Sequence, residues 1–375
     1  MKKYDLVLFG ATGFTGKLIA QYLSANAPKD LRWAIAGRTM VKLQEVAALC
    51  TLSIPAIVLA DIKDQQSLDQ MAADTTLLMN TVGPFNWYGY DVVKACVAQH
   101  THYLDITGEP LFVNIIFDKY HDLALKNECT IVNCCGFDSI PADFATWLTV
   151  QKMNPEEAKI VKTFIRTNAS FSGGTLTTAI NALHELSQGN TSGSRYKKHP
   201  NAPKHKLKLH FAKEIGAWAI PMPVVDPHIV KRSAANLVDQ YGPFAYGQYF
   251  VRSSFWKVMQ TIAPIAVAAF LVRFKWFRIW IFKKYHSGTG PSAEKRNQSK
   301  FEVISVGTSK TEVVKTYFSG GDPGYNETSK MFSEAAFCIL DQVKQNSLQY
   351  GVLTPVEGFG MPLMSRLKKK GIHIE

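Results

Sequence analysis

The pattern of hydrophobic and polar positions changes once along the chain. In the first third, short apolar runs alternate with stretches whose apolar residues recur every three to four positions. The apolar runs predict β-strands at Tyr4–Phe9, 33–36, Ala56–Leu59, 77–80, 103–106 and 131–134. The intervening stretches predict helices at 16–25, 40–49, 66–73, 90–99 and 114–127. Strands that alternate with helices are typical of βαβ units, so we predict an α/β domain with a doubly wound parallel sheet in residues 1–141.

Beyond residue 141 the pattern indicates longer elements of both kinds. Partial alternation predicts a strand at 158–169 and hairpin partners at 302–306 and 311–315. Longer helices are predicted at 175–187 and 327–346, and exposed loops at 187–205 and 287–299. We therefore expect a second, α+β substrate domain in residues 142–350. The pattern leaves open whether the C-terminal segment, 351–375, returns to the first domain.

A glycine-rich turn follows the first strand and opens the first helix. Its residues are Gly10, Ala11, Thr12, Gly13, Phe14, Thr15 and Gly16. Glycine permits a positive φ, and a missing side chain lets the backbone approach a pyrophosphate, whose charge a helix N-terminus favours. In this βαβ context the turn predicts a Rossmann dinucleotide-binding domain, and a tight turn without a ligand is the alternative.

The ends of the following strands indicate which dinucleotide binds. NAD-selective domains usually place an acidic residue after the second strand, whereas Arg38 at this position would pair with the 2′-phosphate of NADPH. We expect Thr39 to add a hydroxyl contact and Asp61 to lie near the adenine. The residues expected beside the nicotinamide half are Thr81, Val82, Gly83 and Pro84. The last two also fit a plain turn.

Seven short motifs extend this pattern over essentially the whole chain. They lie at 10–16, 36–38, 81–85, 103–109, 136–143, 172–175 and 351–355. Together they resemble the saccharopine dehydrogenase-like oxidoreductases, and within them the trans-acting enoyl reductases of mycobacterial glycolipid synthesis and their membrane- or lipid-droplet-associated animal relatives. The resemblance implies a Rossmann fold and an NADP cofactor. It implies less about the substrate, because the family includes amino-acid and lipid chemistry.

Polar residues after the later strands are the candidates for chemistry. Hydride transfer needs the substrate held against the nicotinamide and often a proton donor. Asp138 and Glu109 are the candidate catalytic residues, although Asp138 also fits a helix N-cap. The candidate substrate-binding residues are Phe85, Ser139, Ser172, Gly173, Gly174 and Thr175. The last four also fit a turn, and we expect no metal site.

The positive charge of the chain is concentrated in one segment. The net charge is +12, and residues 190–300 contain 19 Lys and Arg against 4 Asp and Glu. Within this segment, 258–272 is an apolar run shorter than the roughly 20 residues that span a bilayer, and 273–284 mixes cations with Phe and Trp. This mixture is typical of an interfacial segment, so we expect 256–285 to attach to an anionic membrane surface. A buried core helix or a homodimer interface is the alternative, and a nucleic-acid interface is disfavoured.

These patterns together favour an NADPH-dependent reductase that acts on a lipid or other hydrophobic substrate at a membrane surface. The six cysteines form no CxxC pair and indicate reduced thiols, so we expect a cytoplasmic protein attached peripherally to the plasma membrane or to lipid droplets. Two alternatives stay open. One is a soluble saccharopine-type amino-acid dehydrogenase, and the other is a non-catalytic NADPH-binding scaffold at a membrane or lipid droplet.

Overall fold

The computed structural model describes residues 2–169, 196–197, 199–222, 224–271, 273–274 and 290–375. These residues divide into two compact units. The first unit comprises Met1–Ile140 and Gly324–Lys370, and the second comprises Pro141–Pro323 and Gly371–Glu375. Each unit is built on a seven-stranded sheet.

Helices and strands alternate throughout the first part of the chain. The elements are β1 (Tyr4–Phe9), α1 (Phe14–Asn26), β2 (Trp33–Gly37), α2 (Met40–Ala48), β3 (Ala56–Leu59), α3 (Gln65–Ala73), β4 (Thr75–Asn80), α4 (Phe85–Ala98), β5 (His102–Asp105), α5 (Pro110–Lys126), β6 (Thr130–Val132) and α6 (Ile140–Gln151). All six predicted strands and five predicted helices of this part are therefore present, with bounds shifted by a few residues at some ends.

The second part of the described chain is richer in longer strands. Its elements are β7 (Lys159–Thr167), β8 (His210–Ala212), β9 (Ala217–Pro221), α7 (Asp226–Asn236), α8 (Val238–Tyr241), β10 (Phe244–Arg252), α9 (Phe255–Leu271), α10 (Ala293–Gln298), β11 (Phe301–Thr308), β12 (Val313–Gly320), α11 (Asn326–Lys344), β13 (Gly351–Leu353), α12 (Pro355–Lys369) and β14 (His373–Ile374).

The sheet of the first unit is parallel throughout. Its strand order is β13-β6-β5-β4-β1-β2-β3, and every neighbouring pair runs in the same direction. Leu6, Val7 and Leu8 are consecutive in β1 and all fully buried. Consecutive buried residues mean that both faces of the sheet are covered, as parallel sheets require. The predicted Rossmann-like α/β fold is confirmed.

The second unit contains a mixed sheet in the order β14-β12-β11-β7-β10-β9-β8. Its central pair, β7 and β10, is parallel, whereas the pairs on either side are antiparallel. Phe164 of β7 stacks on Tyr249 of β10 with ring centroids 5.6 Å apart, and both side chains are fully buried. This sheet with its helices confirms the expected α+β class of the second unit.

The division into units differs from the predicted domain bounds. Residues 324–350, predicted in the second domain, belong to the first unit because α11 buries most of its length there, and the Tyr22 hydroxyl donates to Glu334 of this helix at 2.9 Å. The chain then continues into β13, which pairs with β6. Residues 371–375 instead join the second unit, where β14 pairs with β12. Hydrophobic periodicity identified the helix but not the sheet it covers.

One predicted loop contains a short helix, and one predicted helix falls outside the described residues. The stretch 287–299 was predicted as a loop, but the structure has the short helix α10 at 293–298, whose N-terminus is capped by the Ser292 hydroxyl. The predicted helix at 175–187 lies outside the described residues. Within the part of the chain that the structure describes, no helix is long and apolar enough to cross a bilayer.

Candidate functional site

Two glycines of the turn after β1 are required by packing. Gly10 has a φ of +88°, and a β-carbon there would lie 2.5 Å from the Thr81 hydroxyl oxygen. A β-carbon at Gly16 would lie 2.3 Å from the carbonyl oxygen of Gly10. Real β-carbons do not approach other atoms so closely, so these two glycines allow β1, α1 and the end of β4 to come together.

The third glycine of the turn has a different role. Gly13 immediately precedes α1, and a β-carbon there would contact a single atom, the Gly10 carbonyl oxygen, at an acceptable 3.4 Å. No side chain caps the helix, and its first turn contains no acidic residue. The helix N-terminus therefore opens onto space that packing does not need, which fits the pyrophosphate of a dinucleotide.

The end of β2 lies next to this turn. A β-carbon at Gly37 would lie 3.9 Å from the Thr12 methyl group. The following residues, Arg38 and Thr39, are exposed, and Arg38 makes no ion pair or hydrogen bond within the described part of the chain. Its guanidinium is therefore free to bind a phosphate on the ribose, and the contact itself stays a prediction.

Asp61 lies in the turn after β3. Its Oδ1 accepts a hydrogen bond from the Lys63 backbone N–H at 3.0 Å, and its own N–H donates to the Ser67 hydroxyl at 3.0 Å. The Asp61 carboxylate thus stabilises a local turn. Its contact with the adenine stays a prediction.

The end of β4 is tied to the end of β1. The backbone N–H and the hydroxyl of Thr81 both donate to the Phe9 carbonyl oxygen, at 3.0 and 2.9 Å. The Val82 N–H donates to the Asn80 side-chain oxygen at 2.9 Å. Thr81 therefore holds the strand ends in place beside Gly10, and Val82 with Gly83 and Pro84 continues the same edge of the sheet towards the predicted nicotinamide position.

The structure shows a structural role for Glu109, and its catalytic role stays a prediction. Its two carboxylate oxygens accept hydrogen bonds from the backbone N–H groups of Phe85 and Asn86, at 2.7 and 2.9 Å. These are the first two residues of α4, so the carboxylate caps the helix where its dipole favours negative charge. The side chain is buried, and both oxygens are used in holding the segment that follows Pro84.

We expect the Glu109→Gln variant to unfold at a lower urea concentration than the parent protein. The amide would present an N–H group to one of two backbone donors, leaving that donor buried without an acceptor, at a cost of about 1–3 kcal/mol in the free energy of unfolding. Glu45→Gln, at an exposed position of α2, is the matched control and should change little. Lost turnover with unchanged stability would instead restore the catalytic interpretation of Glu109.

Two predicted substrate-binding residues are buried in the first unit. Phe85 is 6% exposed and packs on the Phe112 ring, with centroids 5.7 Å apart, and Ser139 is fully buried. Apolar packing accounts for the position of Phe85, and substrate contact by Phe85 or Ser139 stays a prediction. The other four residues of this prediction, Ser172, Gly173, Gly174 and Thr175, lie outside the described residues.

Asp138, the other candidate catalytic residue, lies where an acid could reach a ligand. Its side chain is exposed, and its Oδ2 would be 3.1 Å from a β-carbon at Gly108. Desolvation by the surrounding protein raises the pKa of this carboxyl, although the exposure of the side chain limits the size of the effect. The loops after β5 and β6 therefore approach each other at Asp138. The pKa of its carboxyl lies closer to neutral pH than that of an ordinary aspartate.

Asp105, a polar residue at the end of β5, lies in a buried hydrogen-bond network that the sequence did not predict. The Asp105 carboxylate accepts hydrogen bonds from the Asn133 amide at 2.6 Å and from the backbone N–H groups of Thr107 and Cys134, each at 3.0 Å. Burial raises the pKa of the Asp105 carboxyl to about 6, against the opposing effect of these hydrogen bonds. An aspartate that ends a buried strand was the available signal, whereas its partners Asn133 and Cys134, which follow β6, are evident only from the fold.

Comparison with known proteins agrees with this geometry. Residues 6–132 match the family model of the saccharopine dehydrogenase NADP binding domain. The chain is 31% identical to a protein of Mycobacterium tuberculosis named as a candidate trans-acting enoyl reductase, over 100% of this chain and 97% of that one. It is 30% identical to the saccharopine dehydrogenase-like oxidoreductase of Rattus norvegicus, over 99% and 97% of the two chains.

A solved structure extends the likeness to the fold. The apo histidine-tagged saccharopine dehydrogenase (L-Glu forming) from Saccharomyces cerevisiae superimposes with a TM-score of 0.60 over 99% of both chains, at 14% sequence identity. The glycine turn, the free arginine after β2 and the full-length relatives lead to one assignment. The chain belongs to the saccharopine dehydrogenase-like oxidoreductases, and its first unit is an NADP-binding domain.

Proposed function

We propose that this oxidoreductase is an NADPH-dependent reductase of a lipid or other hydrophobic substrate at a membrane surface. The observation that carries the cofactor assignment is the exposed, unpaired Arg38 beside the open turn at Gly13. When bound, NADPH supplies a hydride. The name of the mycobacterial relative supports the direction of reaction, because an enoyl reductase adds a hydride and a proton across a carbon–carbon double bond.

Asp138 is the residue of this chain that we assign to the proton. Reduction of a double bond needs a proton at the carbon that does not receive the hydride. The Asp138 carboxyl is exposed after β6, and its raised pKa makes the protonated form that can donate more accessible than in an ordinary aspartate. Glu109 is engaged with α4 and is not needed for this step.

The hydrophobic character of the substrate is supported by helix α9. Its 17 residues contain one charged side chain, Lys257, and expose large apolar side chains along their length. Trp256 is 71% exposed, Phe270 58% and Val267 57%. Monomeric soluble proteins rarely expose so much contiguous apolar surface, and such a patch marks an interaction surface. Because cations surround it in the sequence, we infer that an anionic membrane covers it.

NADPH oxidation with defined substrates tests the proposal. Purified protein should oxidise NADPH when supplied with a lipid extract and should leave NADH largely unused. Reduction of NADP in the presence of saccharopine would indicate the soluble amino-acid dehydrogenase in place of the lipid reductase. Tight NADPH binding without oxidation in the presence of any lipid fraction would favour the non-catalytic scaffold instead.

We expect the protein to bind anionic membranes in a salt-dependent way. The protein should co-sediment with anionic vesicles at low salt and less at about 1 M salt, where the Debye length is about 3 Å. Changing both Trp256 and Phe270 to glutamate should abolish sedimentation. The matched control changes Leu52 and Ile54, exposed apolar residues of the first unit, to glutamate and should leave sedimentation intact. A parent protein that stays in solution at low salt would favour the dimer or core alternative for α9.

A further inference from the structure

The second unit contains a solvent-open recess of about 1070 Å³ at one end of its sheet. The last residues of β7, β10 and β12 and the first residues of β9 and β11 form its floor, and the first turns of α9 contribute to its wall. A recess of this size accommodates a polar group of several atoms together with part of an attached chain. All of its lining residues belong to the second unit, whereas the NADP-binding turn belongs to the first.

Cations outnumber acids among the side chains that line this recess. Arg166 pairs with Glu302 at 3.1 Å, so these two charges offset each other. Arg252, Lys257 and Lys300 also line the recess, and none of the three forms an ion pair within the described residues. Three uncompensated cations around one recess create a positive potential that favours an anionic ligand.

Two contacts fix the orientation of the Arg252 side chain at the recess. Its Nε–H donates to the Thr261 hydroxyl on α9 at 2.8 Å, and its guanidinium lies 4.2 Å from the centroid of the Phe250 ring. These contacts fix the plane of the guanidinium without using its two terminal nitrogens. A guanidinium fixed in this way can bind a phosphate or carboxylate through two parallel hydrogen bonds.

The residues of α9 that line the recess are polar, namely Lys257, Gln260 and Thr261, and exposed apolar residues of the helix adjoin them in sequence. The neighbouring Phe255 ring packs on Trp218 of β9 at 5.1 Å, which fixes the first turn of the helix. From there the helix exposes Met259, Ile265 and Phe270. A small inorganic anion would use the cations alone, whereas an amphiphile would use both the cations and the apolar helix.

We propose that this recess binds the anionic head group of a single amphiphile whose chain lies along α9. The choice of a lipid ligand rests on the proposed function, but the site and its test do not require turnover. The ligand class is an acyl chain that carries a phosphate ester or a comparable anion. Arg252 and Lys257 bind the anion, and the acyl chain lies against exposed side chains of α9 on the surface that the proposed membrane contacts.

The test uses the full-length protein and short-chain lipids that stay monomeric in water. Isothermal titration should give binding of dihexanoyl phosphatidic acid at least about tenfold tighter than that of dihexanoyl phosphatidylcholine or of inorganic phosphate. Changing both Arg252 and Lys257 to glutamine should weaken phosphatidic acid binding by at least about tenfold, because two charge-assisted contacts are lost.

A matched control variant tests whether binding depends on the recess or only on the overall positive charge of the protein. Lys208 and Lys213 are exposed lysines of the second unit outside the recess, and changing both to glutamine removes the same charge. This control should keep the parent affinity, and NADPH affinity should stay unchanged in every variant as evidence of folding. Equal loss in the control, or equal binding of phosphate and phosphatidic acid, would overturn the proposal. Failure of NADPH turnover would count against the proposed function and leave this binding result standing.

Discussion

Replacing Gly13 with valine is expected to abolish NADPH binding while the protein remains folded. The backbone at this position has a φ of −70°, which any residue adopts, and a β-carbon there meets one atom at 3.4 Å. The branched side chain would instead occupy the space at the helix N-terminus that the pyrophosphate needs. Loss of several charge-assisted contacts of about 1.5–3 kcal/mol each should lower the affinity more than about hundredfold.

Titration of NADPH by fluorescence and urea unfolding of the same samples measure this result. Gly324→Val is the control for the substitution itself, because no atom lies within 4 Å of a β-carbon at Gly324. It should keep both NADPH affinity and stability. Gly16→Ala should lose both, since its β-carbon would lie 2.3 Å from the Gly10 carbonyl oxygen. Normal affinity in folded Gly13→Val protein would exclude this turn as the cofactor site.

Replacing Arg38 with alanine is expected to remove most of the preference for NADPH over NADH. Arg38 is exposed after β2 and pairs with no acid in the described part of the chain, so its guanidinium is available to the 2′-phosphate. One such charge-assisted contact is worth about 1.5–3 kcal/mol, which corresponds to a loss of roughly tenfold to hundredfold in NADPH affinity. NADH affinity should change little, because NADH lacks this phosphate.

Both cofactors should be titrated into the parent protein, Arg38→Ala and Lys94→Ala. Lys94 is an exposed lysine on α4, and its replacement removes the same charge away from the end of β2. The control should retain the parent preference. Equal affinities of NADPH and NADH in the parent protein would contradict the assignment of Arg38.

The fold of the cofactor domain could be predicted from the local hydrophobic pattern because its helices and strands are short and strongly periodic. The strands Tyr4–Phe9 and Ala56–Leu59 occur with the predicted bounds, and the glycine turn lies between strand and helix as its spacing indicates. Parallel strands place their carboxyl ends at one edge, so the sequence alone places Arg38 and Thr81 at this edge. Membership of the family followed from the same motifs.

The roles of individual polar residues depended on contacts between segments distant in sequence. Glu109 and Asp138 looked equivalent as acids after buried strands, but one caps α4 and the other is exposed beside Gly108. Three motif glycines also looked equivalent, and only the surrounding atoms distinguish Gly13 from Gly10 and Gly16. Sequence spacing cannot supply such distances.

The residue pattern predicted the α/β cofactor domain, the α+β class of the second domain and an NADP cofactor, and residue counts located the positive charge in 190–300. Packing of the folded chain returns 324–370 to the first unit and joins the last five residues to the second. It also brings Arg252 and Lys257, which are close in sequence, together with the distant Lys300 at one recess. Periodicity indicates which face of a helix or strand is buried. Which other element covers that face depends on packing over the whole chain.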